Sequence, residues 1–128
     1  MDKLYDKLGL PKGHYRLHHA LLAGLPVSLA ADLARELGLP PARVTKWVGA
    51  STRPATMPMQ PGEIFCRLVE TLDVLLERYD DNLEGALHWP TTPNMALANE
   101  RPADLLVTET GRRTVQQAIH AIEYGLPV

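Results

Sequence analysis

The sequence predicts an all-α protein. Apolar residues recur at three- and four-residue spacing in successive stretches, glycine and proline sit at the ends of those stretches, and no run alternates apolar with polar residues as a half-buried strand would. From His14 to Ala23, Leu17, Leu21 and Leu22 fall at helical spacing, and Gly24 with Pro26 closes the segment. Ser28 is placed to cap a second helix with Leu29, Leu33 and Leu37 on one side, which Gly38 stops. Pro40 and Pro41 suit the entry to a third, carrying Val44, Trp47 and Val48 and ending at Gly49.

Between Thr52 and Pro61 the prolines Pro54, Pro58 and Pro61 each remove a backbone donor and fix φ, so this stretch reads as an extended or turn-rich connector. The strongest periodicity follows, from Gly62 to Tyr79. On a helical wheel Ile64, Phe65, Leu68, Val69, Leu72, Leu75, Leu76 and Tyr79 share one face, while Arg67, Glu70, Asp73, Glu77 and Arg78 lie opposite and Val74 is out of pattern. Tyr79 to Asn82 reads as a polar turn, and Trp89-Pro90 with Pro93-Asn94 divides the next stretch into short helices or turns. Pro102 suits the first position of a short helix reaching Val107. A last helix is expected from Glu109 to Tyr124, with Val115, Ala118, Ile119 and Ile122 buried and Gly125 as terminator.

Composition narrows the function classes. The 128 residues suffice for one domain or two small helical units sharing a core, and 45% hydrophobic with 22% charged residues is the balance of a folded chain. A net charge of −2 gives no general field for nucleic acid, so DNA contact needs a local basic patch. The single cysteine, Cys66, rules out an intrachain disulfide and suits a reducing cytoplasm. No stretch reaches the length of a membrane helix, and no signal-peptide core opens the chain. His14, His18 and His19 have helical spacing for a pair of metal ligands but lack an obvious third, so no metal or cofactor is expected. Neither Cys66 nor Ser28 has a local signature of an activated nucleophile, and Gly9 to Gly13 lacks the spacing of a phosphate loop; the reading is not an enzyme.

One ordered string of residues is more specific than any of these. Trp89, Pro93-Asn94, Leu97, Arg101-Pro102-Ala103-Asp104-Leu105-Leu106, Gly111, Val115 and Glu123-Tyr124-Gly125 follow one another in the C-terminal third. In that order the string resembles the toxin-binding domain of Xre/MbcA/ParS antitoxins. The resemblance implies an N-terminal helix-turn-helix-like bundle of the Xre type over residues 1–61, and a long core helix plus toxin-binding domain over 62–128. It further implies a cytoplasmic antitoxin that neutralises a RES-type, NAD-degrading toxin by occluding its active site, works as a homodimer within a larger complex, and regulates its own operon. Toxin contacts are expected from Trp89, Asn94, Arg101, Arg112, Arg113, Glu123, Tyr124, Leu126, Pro127 and Val128. The last three, beyond the final helix, are expected to enter the toxin's nucleotide pocket.

Upstream, Gly24-Leu25-Pro26, Leu37 to Pro40 and Val48-Gly49 fall where such antitoxins carry a helix-turn-helix, and Arg43, Lys46, Ser51 and Arg53 are the residues that could meet operator DNA. The family's recognition helix would begin at Ser51. A recognition helix must be a continuous rod in the major groove, which Pro54, Pro58 and Pro61 oppose. An alternative is a free-standing helix-turn-helix regulator without a toxin, and a further one is a helical dimerisation module. The regulator would need an unbroken basic reading helix; the antitoxin would not.

Overall fold

Residues 3–51, 55–78 and 83–123 are described in a computed structural model. They form α1 (Lys3–Lys7), α2 (His14–Ala23), α3 (Ser28–Leu37), α4 (Pro41–Val48), α5 (Met59–Arg78), α6 (Leu83–Thr91), a 3-10 turn (Met95–Leu97), α7 (Pro102–Leu105) and α8 (Glu109–Glu123). Among the described residues there is no strand, and the all-α expectation holds.

The centre of the molecule is α5. Phe65, Val69, Leu72 and Leu75 on it are fully buried, and α1, α2, α4, α6 and α8 all pack against it. Leu29, Leu33 and Leu37 of α3 and Val44 and Val48 of α4 extend the same core on the N-terminal side. Val115, Ala118 and Ile119 of α8 extend it on the C-terminal side.

Three features depart from the sequence reading. The long helix begins at Met59, three residues before Gly62, because its first internal bond runs from the Gly62 amide to the Pro58 carbonyl (3.0 Å). Met59, Gln60 and Pro61 therefore occupy the first turn, where amides have no helical acceptor and a proline loses nothing. Ser28 does not cap α3: it is the first helical residue, and Val27 precedes it with no side-chain cap. Leu22, expected on a buried face, is 57% exposed, since α2 lies on the surface and contributes no buried residue.

The most consequential departure is Asp73, which the wheel places towards solvent and which is only 4% exposed. Its carboxylate accepts the Leu4 amide at 2.7 Å and the Tyr5 amide at 3.0 Å. Those are first-turn donors of α1 that have no acceptor within their own helix, so a side chain nearly seventy residues away caps it. Leu4, Leu8 and Leu10 are held in the core beside it.

After α4 the chain turns back. Met57 donates its amide to the Leu25 carbonyl (2.7 Å), Val27 donates to the Ala55 carbonyl (2.9 Å), and Pro26 pairs with Thr56 in an isolated antiparallel bridge. A Cβ on Gly24 would lie 2.9 Å from the Thr56 Cβ, and Gly24 has φ +95°, so both space and conformation require glycine there.

These contacts set two expectations for thermal or denaturant unfolding. Leu72→Ala should cost about 2 to 5 kcal/mol, as for a fully buried leucine. Asp73→Ala should cost about 2 to 3 kcal/mol by orphaning one buried and one part-buried amide, while Asp73→Asn, which keeps one acceptor oxygen, should cost less. Equal stability of Asp73→Ala and the parent chain would refute the capping role.

Candidate interaction surface

The C-terminal elements are tied by two polar knots. The first is Asn94. Its Oδ1 accepts the Ala96 amide (2.8 Å) and its carbonyl accepts the Leu97 and Asn99 amides (both 2.9 Å). Its own amide donates to the Glu100 carbonyl (3.1 Å), which closes the loop as an isolated bridge. Closure places Ala98 (φ 56°) and Asn99 (φ 63°) successively in the left-handed region, a conformation that costs a side-chain-bearing residue about 1 to 2 kcal/mol. The same loop holds Met95 outward, 88% exposed.

The second knot joins α5, α7 and α8. Thr108 caps α8, its Oγ1 accepting the Gly111 amide at 2.9 Å. Arg67 of α5 donates to the Leu106 carbonyl at the end of α7 (3.1 Å), pairs with Glu63 (3.0 Å) and approaches Glu109 (3.9 Å). Glu109 in turn accepts from the Arg112 Nε (2.8 Å) and lies 3.5 Å from the Arg113 Nε. The Arg112 hydrogen bond holds the Glu109 carboxyl at about 2, well below the usual carboxylate range. Gly111 sits where α8 crosses the end of α7, and a Cβ there would fall 1.8 Å from the Leu105 carbonyl oxygen.

The residues expected at the interface divide by depth. Trp89 (8% exposed) and Asn94 (7%) are interior, one in the core and one at the centre of the first knot. Arg101 is on the surface with its Nε bonded to Asp104 (2.9 Å), and Arg112 and Arg113 flank Glu109. The side chain of Glu123, and all of Tyr124, Leu126, Pro127 and Val128, lie outside the described residues. Two exposed apolar side chains were not singled out from the sequence: Met95, and Val107, which is 45% exposed because α7 stops at Leu105 instead of continuing to Val107. A methionine in a loop and a valine after a short helix carry no distinctive sequence signal.

Arg43 and Lys46 project from α4, and Ser51 is exposed; Arg53 and Pro54 lie outside the described residues. The stretch assigned to a recognition helix is not one over its described part: Gly49 to Ser51 and Ala55 to Pro58 are turn, bend or extended backbone. Cys66 is buried, with its thiol pushed up to about 12 by burial and then by Glu70 and Glu63, so at neutral pH it stays protonated. His14, His18 and His19 are exposed, and no group of three metal-ligating side chains occurs among the described residues. No helix among them is long and apolar enough to cross a membrane.

Residues 75–125, from the last turns of α5 through α8, match the model of the antitoxin Xre/MbcA/ParS C-terminal toxin-binding domain. By that match, residues 75–125 of the chain carry a domain of the Xre/MbcA/ParS antitoxin type. It is also similar to the antitoxin Xre of Yersinia enterocolitica, serotype O:8, biotype 1B, at 27% identity over 96 residues, which is 75% of this chain and 63% of the relative. The aligned stretch thus spans less than two thirds of that relative's length. Within the family domain, both polar knots lie inside the matched region except for Glu63 and Arg67, which reach it from the upstream part of α5.

The knots give two measurable expectations. Gly111→Ala should destabilise by about 1 to 3 kcal/mol or force α8 off α7, and Thr108→Ala by about 1 kcal/mol; wild-type unfolding midpoints for both would refute the packing. Glu109, with its folded pKa depressed, contributes stability that is complete above the ordinary carboxylate range and is lost as pH falls from there towards about 2. Because the carboxylate is 48% exposed, the loss should stay below about 1 kcal/mol, read as the difference between parent and Glu109→Gln across an acid titration.

Proposed function

We propose that the chain is an antitoxin that neutralises a cognate toxin by binding it through the family domain, without chemistry of its own. The partner is a RES-type, NAD-degrading toxin, and binding occludes its active site. The observation that carries the reading is the family domain itself, within which a strained, cross-tied loop presents Met95 to solvent. An 88% exposed methionine on a backbone fixed by four hydrogen bonds offers an adaptable apolar anchor at little cost in backbone entropy. Arg101, Arg112 and Arg113, also within the matched region, provide charged donors of the kind favoured at interface hot spots.

In this reading Trp89 and Asn94 act by shaping the surface, and Val107 joins Met95 as a contact. Leu126, Pro127 and Val128 carry the occlusion of the toxin's nucleotide pocket. The free-standing regulator is the weaker reading, since a DNA reader needs a helix where residues 55–57 pair with residues 25–27. Homodimerisation and operator contact through Arg43 and Lys46 belong to the same proposal as secondary properties of the complex.

The test is co-expression of the chain with its toxin, followed by co-purification and measurement of cell survival and NAD. Met95→Glu and Val107→Glu, both at exposed sites, should leave the unfolding midpoint unchanged and weaken toxin binding by about 2 kcal/mol each, roughly thirtyfold. Removal of residues 126–128 should retain binding and restore toxin activity. Full neutralisation by both glutamate variants would show that binding uses another face.

A further inference from the structure

A cleft of about 430 Å³ separates α4 from the corner between α6 and α7, and its lining differs in charge from the rest of the chain. Arg43, Lys46 and Arg101 face it with a single carboxylate, Asp104, on a chain whose net charge is −2. Arg43 and Lys46, three positions apart, share one face of α4 and make no ion pair among the described residues. Asp104 holds only the Nε of Arg101 (2.9 Å), which fixes the guanidinium and leaves its terminal nitrogens available. Trp47, half-buried and with an N–H that makes no hydrogen bond among the described residues, also lines the cleft, as does Thr91 from the end of α6.

We propose that this cleft is a binding site for a phosphate ester that carries a planar ring, with a mononucleotide as the ligand class. Unpaired like charges converging on one cavity repel one another, and an anion between them relieves that repulsion. A single carboxylate satisfies one guanidinium. A phosphate dianion offers three acceptor oxygens and matches two arginines and a lysine drawn from both halves of the chain. The ring stacks on Trp47, and the volume falls in the range of small-molecule sites, roughly 300 to 1,000 Å³. The site is separate from the proposed toxin contacts at Met95 and Val107, although it shares Arg101 with the wider charged surface.

The experiment is a titration of the full chain with AMP, adenosine, inorganic phosphate and a short single-stranded oligonucleotide, followed by NMR at the two indole N–H resonances. Trp47→Phe assigns them. AMP should shift the Trp47 resonance and saturate below about 1 mM, with adenosine and phosphate each at least about tenfold weaker. Arg43→Gln, Lys46→Gln and Arg101→Gln should each weaken AMP binding by about tenfold, the loss expected for one charge-assisted contact, while Arg113→Gln, outside the cleft, should not. All four are at exposed positions, and an unchanged far-UV spectrum verifies their folding. No shift at Trp47 with AMP up to about 1 mM, adenosine equal to AMP, or AMP binding insensitive to the three cleft variants would overturn the proposal. An oligonucleotide binding more than about tenfold tighter than AMP would overturn the mononucleotide assignment and make the cleft a strand-binding groove.

Discussion

Everything in this fold answers to one helix that is covered around most of its circumference. Eleven residues of α5 are buried, from Gly62 to Leu76, and they include Cys66, Thr71 and Asp73 as well as the expected leucines. A helix apolar on one stripe needs one partner, whereas a helix buried around most of its circumference needs a shell. The shell here is α1, α2, α4, α6 and α8, each too short to be stable alone and each gaining its stability from the face of α5 it covers.

Apolar burial alone would let those short helices slide. Two polar side chains on α5 fix their positions instead: Asp73 meets the amino end of α1, and Arg67 meets the carboxyl end of α7. The signs follow the helix dipole, an anion at exposed amides and a cation at exposed carbonyls. Each also supplies an acceptor or donor that a helix end lacks, so the two interactions specify where the helices stop as well as where they dock. The carbonyl that Arg67 takes lies beside the crossing that only Gly111 permits, which makes one guanidinium and one missing Cβ jointly responsible for the angle between α7 and α8.

How much of this could be read from the sequence depends on whether the information is local. The spans of α2, α3 and α4, with their glycine stops, are local and were legible, as were the buried leucines of α3 and the burial of Val115, Ala118 and Ile119. The first turn of α5 was not, because Pro61 reads as a breaker unless one knows that Pro58 already supplies the first helical carbonyl. Asp73 was assigned to solvent because a wheel sorts residues by polarity, and nothing within a few positions reveals that α1 needs a cap. The order of Trp89, Asn94, Pro102 and Gly111 pointed to the family, yet their depth did not follow from it. Trp89 and Asn94 are interior, and the exposed apolar groups beside them are residues without a motif.

That difference in depth bears on how recognition and stability are connected. The family match begins at residue 75, in the last turns of α5, so the remainder of the helix on which α8 rests lies upstream of the matched region. Arg67 and Glu63 likewise reach into the domain from outside it. The surface made by α6, α7 and α8 therefore borrows its floor from the N-terminal part of the chain, and that part cannot unfold without loosening the surface. Anything that binds the folded surface then stabilises the whole core by mass action, and the N-terminal helices feel the binding event although they need not touch the partner. This linkage gives the upstream helices a reason to persist where the segment between α4 and α5 runs back along Leu25 to Val27 instead of forming a reading helix. Their role in the fold is to complete the shell around α5, and it does not depend on whether they meet DNA.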